Sequence, residues 1–248
     1  RAELEGRTFE QFTHPDTKAA DKVALSQLRT GETTSFTTVK RYRHADGHWI
    51  WVHLQTSTVA GNDGPRDYVI SQMLDITERR AAEERLTFLA LHDPLTGLAN
   101  RRLLFDHLSV ALARAERSGR LVAVLYVDLD AFKAVNDAWG HDVGDQLLLQ
   151  VAGRLRELTR DADTLARLGG DEFVLVAEDL AEVSQAQLIA ARIADSLRQP
   201  YDLPGAGMVA MSASVGVGLA GSGADADAVV RRADAAMYQA KERGQKSA

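Results

Sequence analysis

Residues 167–179 read RLGGDEFVLVAED, two glycines and two carboxylates followed at once by an apolar run. Glycine supplies the positive φ that a two-residue hairpin requires, and acidic residues keep an exposed tip solvated, so a plain tight turn accounts for the composition. The surroundings of the tip argue for more. LVAVLYVDLD, residues 121–130, is a nearly continuous apolar run suited to a strand buried on both faces, and it ends in Asp128 and Asp130. Side chains two apart on a strand share a face. Carboxylates converging at neighbouring strand ends repel one another unless a cation neutralises them, and hard divalent cations prefer such oxygen-rich settings.

Outward from these two segments the pattern alternates helix and strand. Residues 98–117 and 144–160 carry helical periodicity, TLARLGGDEFVLV (164–176) reads as a hairpin, and AEVSQAQLIAARIADSLRQ (181–199) as a helix. GMVAMSASVGVGLA (207–220) is a strand region, and ADAVVRRADAAMYQAKERG (226–244) closes the chain as a helix. This predicts a layered α/β (α+β) domain whose sheet mixes parallel and antiparallel pairs. Before residue 80 the texture is different. SFTTVKRYR, HWIWVHLQTSTVA and RDYVISQMLDIT read as three antiparallel strands separated by the turn signals ADG and GNDGP. A charged helix, DITERRAAEERLTFLALHD (75–93), follows, with Ala82, Leu86, Leu89 and Leu91 as its apolar stripe.

Composition narrows the chemistry. The 248 residues include no cysteine, so disulfides and thiolate metal sites are excluded and any metal must take oxygen or imidazole ligands. A net charge of −6 argues against binding to nucleic-acid polymers. No apolar run approaches the roughly 20 residues of a membrane span, and residues 1–20 lack the basic and apolar regions of a signal peptide. A soluble, cytoplasmic chain is expected.

Five blocks in order, HDPLTGLANRR (92–102), VDLDAFKAVND (127–137), GHDVGDQLL (140–148), RLGGDEF (167–173) and ADAAMYQAKERG (233–244), make the second part resemble a GGDEF domain, the diguanylate cyclase family. The resemblance implies a palm-like nucleotidyl-cyclase fold that condenses two GTP molecules into cyclic di-GMP with release of pyrophosphate, using Mg²⁺ or Mn²⁺. It implies that Asp128, Asp171 and the Leu129 carbonyl hold metal, with Glu172 assisting the metal or deprotonation of the 3′-hydroxyl. Asn136, His141 and Asp145 fall where the family recognises guanine and its nucleotide. A carboxylate accepts from guanine N1–H and N2–H₂, and an amide donates to a ring acceptor. Gly169 and Gly170 let nucleotide approach the backbone, while Lys133 and Lys241 are candidate triphosphate contacts, Lys133 also a transition-state stabiliser. RDAD, residues 160–163, stands at the spacing of the family's inhibitory product site and makes Arg160 and Asp163 candidates for cyclic di-GMP. One departure is Gln245, where the family often has a phosphate-binding arginine, with Lys246 a candidate substitute.

Residues 1–78 resemble the C-terminal part of a PAS sensor domain, 79–91 a helical linker, and 92–248 the GGDEF domain. The PAS resemblance lacks the first strands and helix of that fold, which implies an incomplete ligand pocket. Trp49 and Trp51 lie on one sheet face and are expected to pack in a core or dimer; His14, before a helix, is expected to cap it. The reading is a PAS-regulated, product-inhibited cyclase acting as a homodimer, because each domain holds one GTP. The rival is a non-catalytic module that binds GTP or cyclic di-GMP.

Overall fold

Residues 121–129 form the strand about which the second half of the chain is built. In a computed structural model that describes residues 8–59, 68–221 and 223–245, the chain divides into two units, residues 1–86 and 87–248.

The first unit contains α1 (Lys18–Thr30) and an antiparallel meander of β1 (Ser35–Arg43), β2 (Trp49–Val59) and β3 (Tyr68–Asp75) in that order. Every second residue of β2, Val52, Leu54 and Thr56, is buried, as period-two alternation requires of a half-covered sheet. Lys40, opposite Val52 in register, is buried on that same side and donates to Asp21 of α1 at 2.8 Å. A buried ammonium is tolerated only with such a partner. Trp49 and Trp51 belong to the other face and are not core residues. Trp49 is 41% exposed and meets His14 edge to face, and the Trp51 ring lies under the Arg80 guanidinium at 4.1 Å. His14 occupies the cap position before Pro15–Thr17, its Nδ1 accepting from the Asp16 amide at 3.4 Å. The turn expected at GNDGP lies outside the described residues.

The exit from β3 is fastened by hydrogen bonds. Asp75 Oδ1 accepts from the Thr77 amide at 2.8 Å, and the Thr77 hydroxyl accepts from the Trp51 amide at 2.8 Å. From Thr77 the chain runs as α2 (Thr77–Leu91), which has no buried residue and leaves Leu86 and Leu89 67% and 42% exposed.

The second unit orders its helices and strands as α3 (Arg101–Ser118), β4 (Leu121–Leu129), α4 (Phe132–Trp139), α5 (His141–Leu158), β5 (Thr164–Gly169), β6 (Glu172–Leu180), α6 (Val183–Leu197), β7 (Tyr201–Leu203), β8 (Gly207–Val209), β9 (Ala213–Ala220) and α7 (Ala226–Gln245). The main sheet runs β5-β6-β4-β9. Residues 122–129 of β4 are all buried, and they alternate between two cores. Leu125, Val127 and Leu129 pack with Phe132, Leu147 and Ile193 of α4, α5 and α6, whereas Val124 and Tyr126 pack with Leu108 of α3 and Ala233 of α7. At about 1.5–3 kcal/mol for each fully buried aliphatic side chain, this one strand organises both layers.

The expected parallel pairs are corrected. β4 pairs antiparallel with β6 and with β9, and β6 with β5. Among the described residues parallel pairing is confined to an isolated bridge between Ala99 and Ala166. β4 and β5 do run in the same direction, but β6 folds back between them. The eight-residue α4 and the short β7–β8 hairpin are further elements that periodicity did not disclose. Gly216 and Gly218 of β9 face α7 so closely that a Cβ on Gly216 would overlap the Ala233 carbonyl and the Met237 amide. That close approach brings the C-terminal turns of α7 to the end of β4.

Candidate active site

The strand pairing that buries β4 also delivers its carboxylate. Asp128 stands opposite Glu172 of β6 on one side and Ser214 of β9 on the other. The Leu129 amide donates to the Asp171 carbonyl at 3.3 Å, so the tip of the β5–β6 hairpin is tied to the end of β4. Asp128, Leu129, Asp171 and Glu172 are therefore brought together. Asp128 is raised above the ordinary carboxylate range, first by burial and then by the charges of Asp171 and Asp130, against the opposing effect of Lys241. Lys241 Nζ donates to Asp128 Oδ1, and that partner, with Asp171 and Asp130, holds the ammonium above its usual range in spite of burial. The charges of Asp128, Asp171 and Asp130, partly screened by Lys241, make an oxygen-rich setting of the kind hard divalent cations prefer, although among the described residues no three of these carboxylates close to within 4.8 Å of one another.

Asp130 takes a different part from Asp128. Its two oxygens accept from the hydroxyls of Ser212 at 2.6 Å and Ser214 at 2.8 Å, which fasten the end of β4 to the start of β9. Tyr126 lies two residues before Asp128 on the same strand face, within the electrostatic influence of Glu172. Burial and the charges of Glu172 and Asp234 push its phenol up, so it stays protonated.

The glycines at the tip are needed for conformation. Gly169 and Gly170 have φ of 143° and 53°, and a Cβ on either would meet nothing within 4 Å. The space over the tip is open. Arg167 closes the turn from below, donating through Nε and Nη2 to the Gly170 carbonyl at 3.0 and 2.7 Å and through Nη1 to both oxygens of Asp93 at 3.0 and 3.1 Å. Asp93 also accepts from the Thr96 hydroxyl and amide. Burial alone would raise its carboxyl, but Thr96 and Arg167 outweigh it and hold Asp93 below the usual value. Tyr126, Asp93, Arg167, Ser212 and Ser214 were not singled out from sequence. The signals present were Asp93 and Arg167 inside two of the five blocks and the alternating serines of MSAS.

The other expected contacts lie on α4 and α5. Lys133 is exposed in the first turn of α4, and His141 and Asp145 are exposed near the start of α5. Asn136 is half-buried, and its Oδ1 is fully buried without a hydrogen-bond partner. A Cβ on Gly144 would overlap that atom, so the glycine makes room for the amide. Arg160 and Asp163 form a turn in which the Asp163 amide donates to the Arg160 carbonyl at 3.0 Å. The Asp163 oxygens accept from the amides of Arg160 and Glu178, both at 3.1 Å. Arg160 itself is exposed. The Gln245 side chain and Lys246 lie outside the described residues.

An antiparallel sheet with carboxylates at the tip of its β5–β6 hairpin and at the adjoining end of β4 defines a palm-like nucleotidyl-transfer fold. Comparison with known proteins makes this specific. The family model described as diguanylate cyclase, GGDEF domain, matches residues 90–247, and that of the PAS fold matches residues 1–73. The chain belongs to the GGDEF family, with a PAS-fold region preceding the GGDEF domain.

Among its relatives is the bifunctional diguanylate cyclase/cyclic di-GMP phosphodiesterase MucR of Pseudomonas aeruginosa, 48% identical over 169 residues, covering 68% of this chain and 24% of that protein. The cyclic di-GMP phosphodiesterase PdeR of Escherichia coli is 43% identical over 180 residues, covering 71% of this chain and 26% of that protein. The chain thus spans about a quarter of the length of the curated relatives it matches. Among solved structures, the coiled coil and GGDEF domain of DgcB from Caulobacter crescentus, in complex with c-di-GMP, superposes with a TM-score of 0.61 at 30% identity, covering 68% of this chain and 89% of that one. No helix among the described residues is long and apolar enough to cross a membrane.

Proposed function

We propose that the chain is a diguanylate cyclase, converting two GTP molecules into one cyclic di-GMP and two pyrophosphates, with the PAS region regulating it. The observation that carries this reading is the juxtaposition of Asp128 and Glu172 in register, with Asp171 held beside them through the Leu129 amide. In this reading Asp128, Asp171 and the Leu129 carbonyl bind a divalent ion, with Glu172 assisting. When bound, such an ion neutralises phosphate charge and acidifies the attacking 3′-hydroxyl. Glu172 accepts the proton of that hydroxyl. In this reading Lys241, now bonded to Asp128, exchanges that partner for a phosphate oxygen, and Lys133 in the first turn of α4 contacts the triphosphate.

Asn136 and Asp145 read the guanine in this proposal, with His141 beside the nucleotide. Because Asn136 Oδ1 is buried against Gly144, its Nδ2 is the end left to donate, and Asp145 takes the N1–H and N2–H₂ pair. Adenine lacks that donor pair and would leave Asp145 without hydrogen-bond partners, so it should be rejected strongly. One domain binds one GTP, and product formation needs two domains facing each other. The exposed Leu86–Leu89 stripe of α2 is the surface offered for pairing.

The experiment is direct. The purified chain with GTP and Mg²⁺ is assayed chromatographically for cyclic di-GMP, and rate per chain is followed on dilution. Product whose specific rate falls on dilution supports a dimeric cyclase. GTP binding without product would replace it with the binding-module reading. Asp171→Ala, at an open hairpin tip, is expected to abolish product while circular dichroism is unchanged; wild-type turnover by that variant would remove the metal assignment.

A further inference from the structure

The turn joining β1 and β2 reads HADGH, residues 44–48, and has no part in the chemistry above. Its backbone is locked. The His44 amide donates to the His48 carbonyl at 2.8 Å, and the Gly47 amide donates to the His44 carbonyl at 3.0 Å. The two histidines thereby flank the turn at facing positions, with ring centroids 4.7 Å apart and planes tilted by 32°. Asp46 lies between them, one oxygen against His44 Nδ1 and the other 3.8 Å from His48 Nδ1. One donor atom from each of the three lies within 4.8 Å of the other two.

We propose that His44, Asp46 and His48 form a binding site for a divalent late transition ion, with Zn²⁺ as the best fit. Two imidazoles and one carboxylate are zinc-type donors, whereas Mg²⁺ and Ca²⁺ take oxygen and discriminate against imidazole. Ligand atoms about 2.0–2.2 Å from a tetrahedral ion stand roughly 3.3 Å apart, so the present spacing needs only side-chain rotation. The closed turn has already fixed the backbone of all three ligands, which keeps the ordering cost of binding small. Three protein ligands also leave one tetrahedral position open. His44 lines a cavity of about 790 Å³ in the first unit, walled by Phe9, Phe12, Tyr42, Ile50 and Met73. Asp46 and His48 lie outside that lining, so water from solvent is the ligand that completes the coordination.

The test uses the full chain, stripped of metal and held in excess Mg²⁺ so that the carboxylate centre is blocked, at about pH 7.5, where free imidazole is mostly neutral. Zn²⁺ is titrated calorimetrically, and Co²⁺ is added separately as a spectroscopic probe of imidazole ligation. The expected result is one ion per chain, with affinity weakened roughly tenfold or more in each of His44→Ala and His48→Ala, and less in Asp46→Asn. All three residues are exposed, so circular dichroism should report an unchanged fold. Absence of stoichiometric Zn²⁺ binding by the wild-type chain would overturn the proposal. So would wild-type affinity in the two histidine variants, which would place the ion on other side chains. A Co²⁺ spectrum identical in wild type and His44→Ala would do the same.

Discussion

Gly144 permits a test in which stability and nucleotide recognition move in different directions. Replacing it by alanine puts a Cβ onto Asn136 Oδ1, 3.0 Å from Asn136 Cγ and 3.3 Å from the Phe132 ring. The obstacle is the end of a side chain, so Asn136 rotates away and α5 stays in place. Alanine in a helix interior is favoured over glycine by about 0.8–1 kcal/mol. Releasing the unpaired buried Oδ1 to water recovers a further share of the roughly 1–3 kcal/mol that such burial costs. Against these stands the Phe132 contact, tight by a few tenths of an ångström. The net expectation is a chain as stable as wild type or slightly more so. In contrast, displacing Asn136 removes one hydrogen bond to guanine, worth about 0.5–1.5 kcal/mol. GTP affinity should fall about two- to thirteenfold, while maximal turnover is kept. Urea denaturation measures the first quantity and calorimetric GTP titration the second. Unchanged GTP affinity would show that Asn136 does not contact the nucleotide, and a loss of stability above about 2 kcal/mol would show that α5, not Asn136, gives way.

Gly216→Ala is the opposite case, because its Cβ would meet the backbone of α7; a loss at or beyond the usual 1–3 kcal/mol of overpacking is expected in denaturation, and wild-type stability would refute the close approach. Asp93→Asn should destabilise the chain at pH 7 by removing the Arg167 ion pair. Since the folded Asp93 carboxyl lies below the ordinary value of 3.8, its contribution is complete above that pH and is lost as pH falls through the lowered folded value. The wild-type advantage over Asp93→Asn should therefore shrink as acid titrations pass below about pH 4, and a constant gap would contradict this. Arg160→Ala should leave the initial velocity nearly unchanged but remove slowing by added cyclic di-GMP; a progress curve equally inhibited in both chains would exclude the arginine from product binding.

The parts of this molecule legible in sequence are those where one residue type at one spacing has one physical use. The apolar run ending in Asp128, the glycine pair with positive φ and the helical stripes of α3, α5, α6 and α7 are of that kind. Strand direction was not. A central strand buried on both faces has the same apolar pattern whether its neighbours run parallel or antiparallel, and only the return of β6 between β4 and β5 decides it. Nor can periodicity reveal α4, which offers barely two turns, or strands of three residues. The clamp from Arg167 to Asp93 joins positions 74 apart, and the Lys241–Asp128 bond joins positions 113 apart. Such pairs exist only once the sheet has formed.

Asp163 shows how one motif can have two physical explanations. Its carboxylate oxygens already satisfy the amides of Arg160 and Glu178, fastening the end of α5 to β6. A turn with those bonds needs an aspartate three residues after position 160 whether or not any ligand comes. The spacing of RDAD is thus explained locally, and replacing Asp163 would remove two hydrogen bonds at about 0.5–1.5 kcal/mol each, confounding any binding measurement. Arg160 carries no such duty: the turn uses only its backbone, and its side chain is exposed. A guanidinium without a structural role, presented beside an acceptor whose oxygens keep further lone pairs, is the separable half of the motif. The product-site reading therefore stands or falls with Arg160, while Asp163→Ala would report chiefly on the junction of α5 and β5.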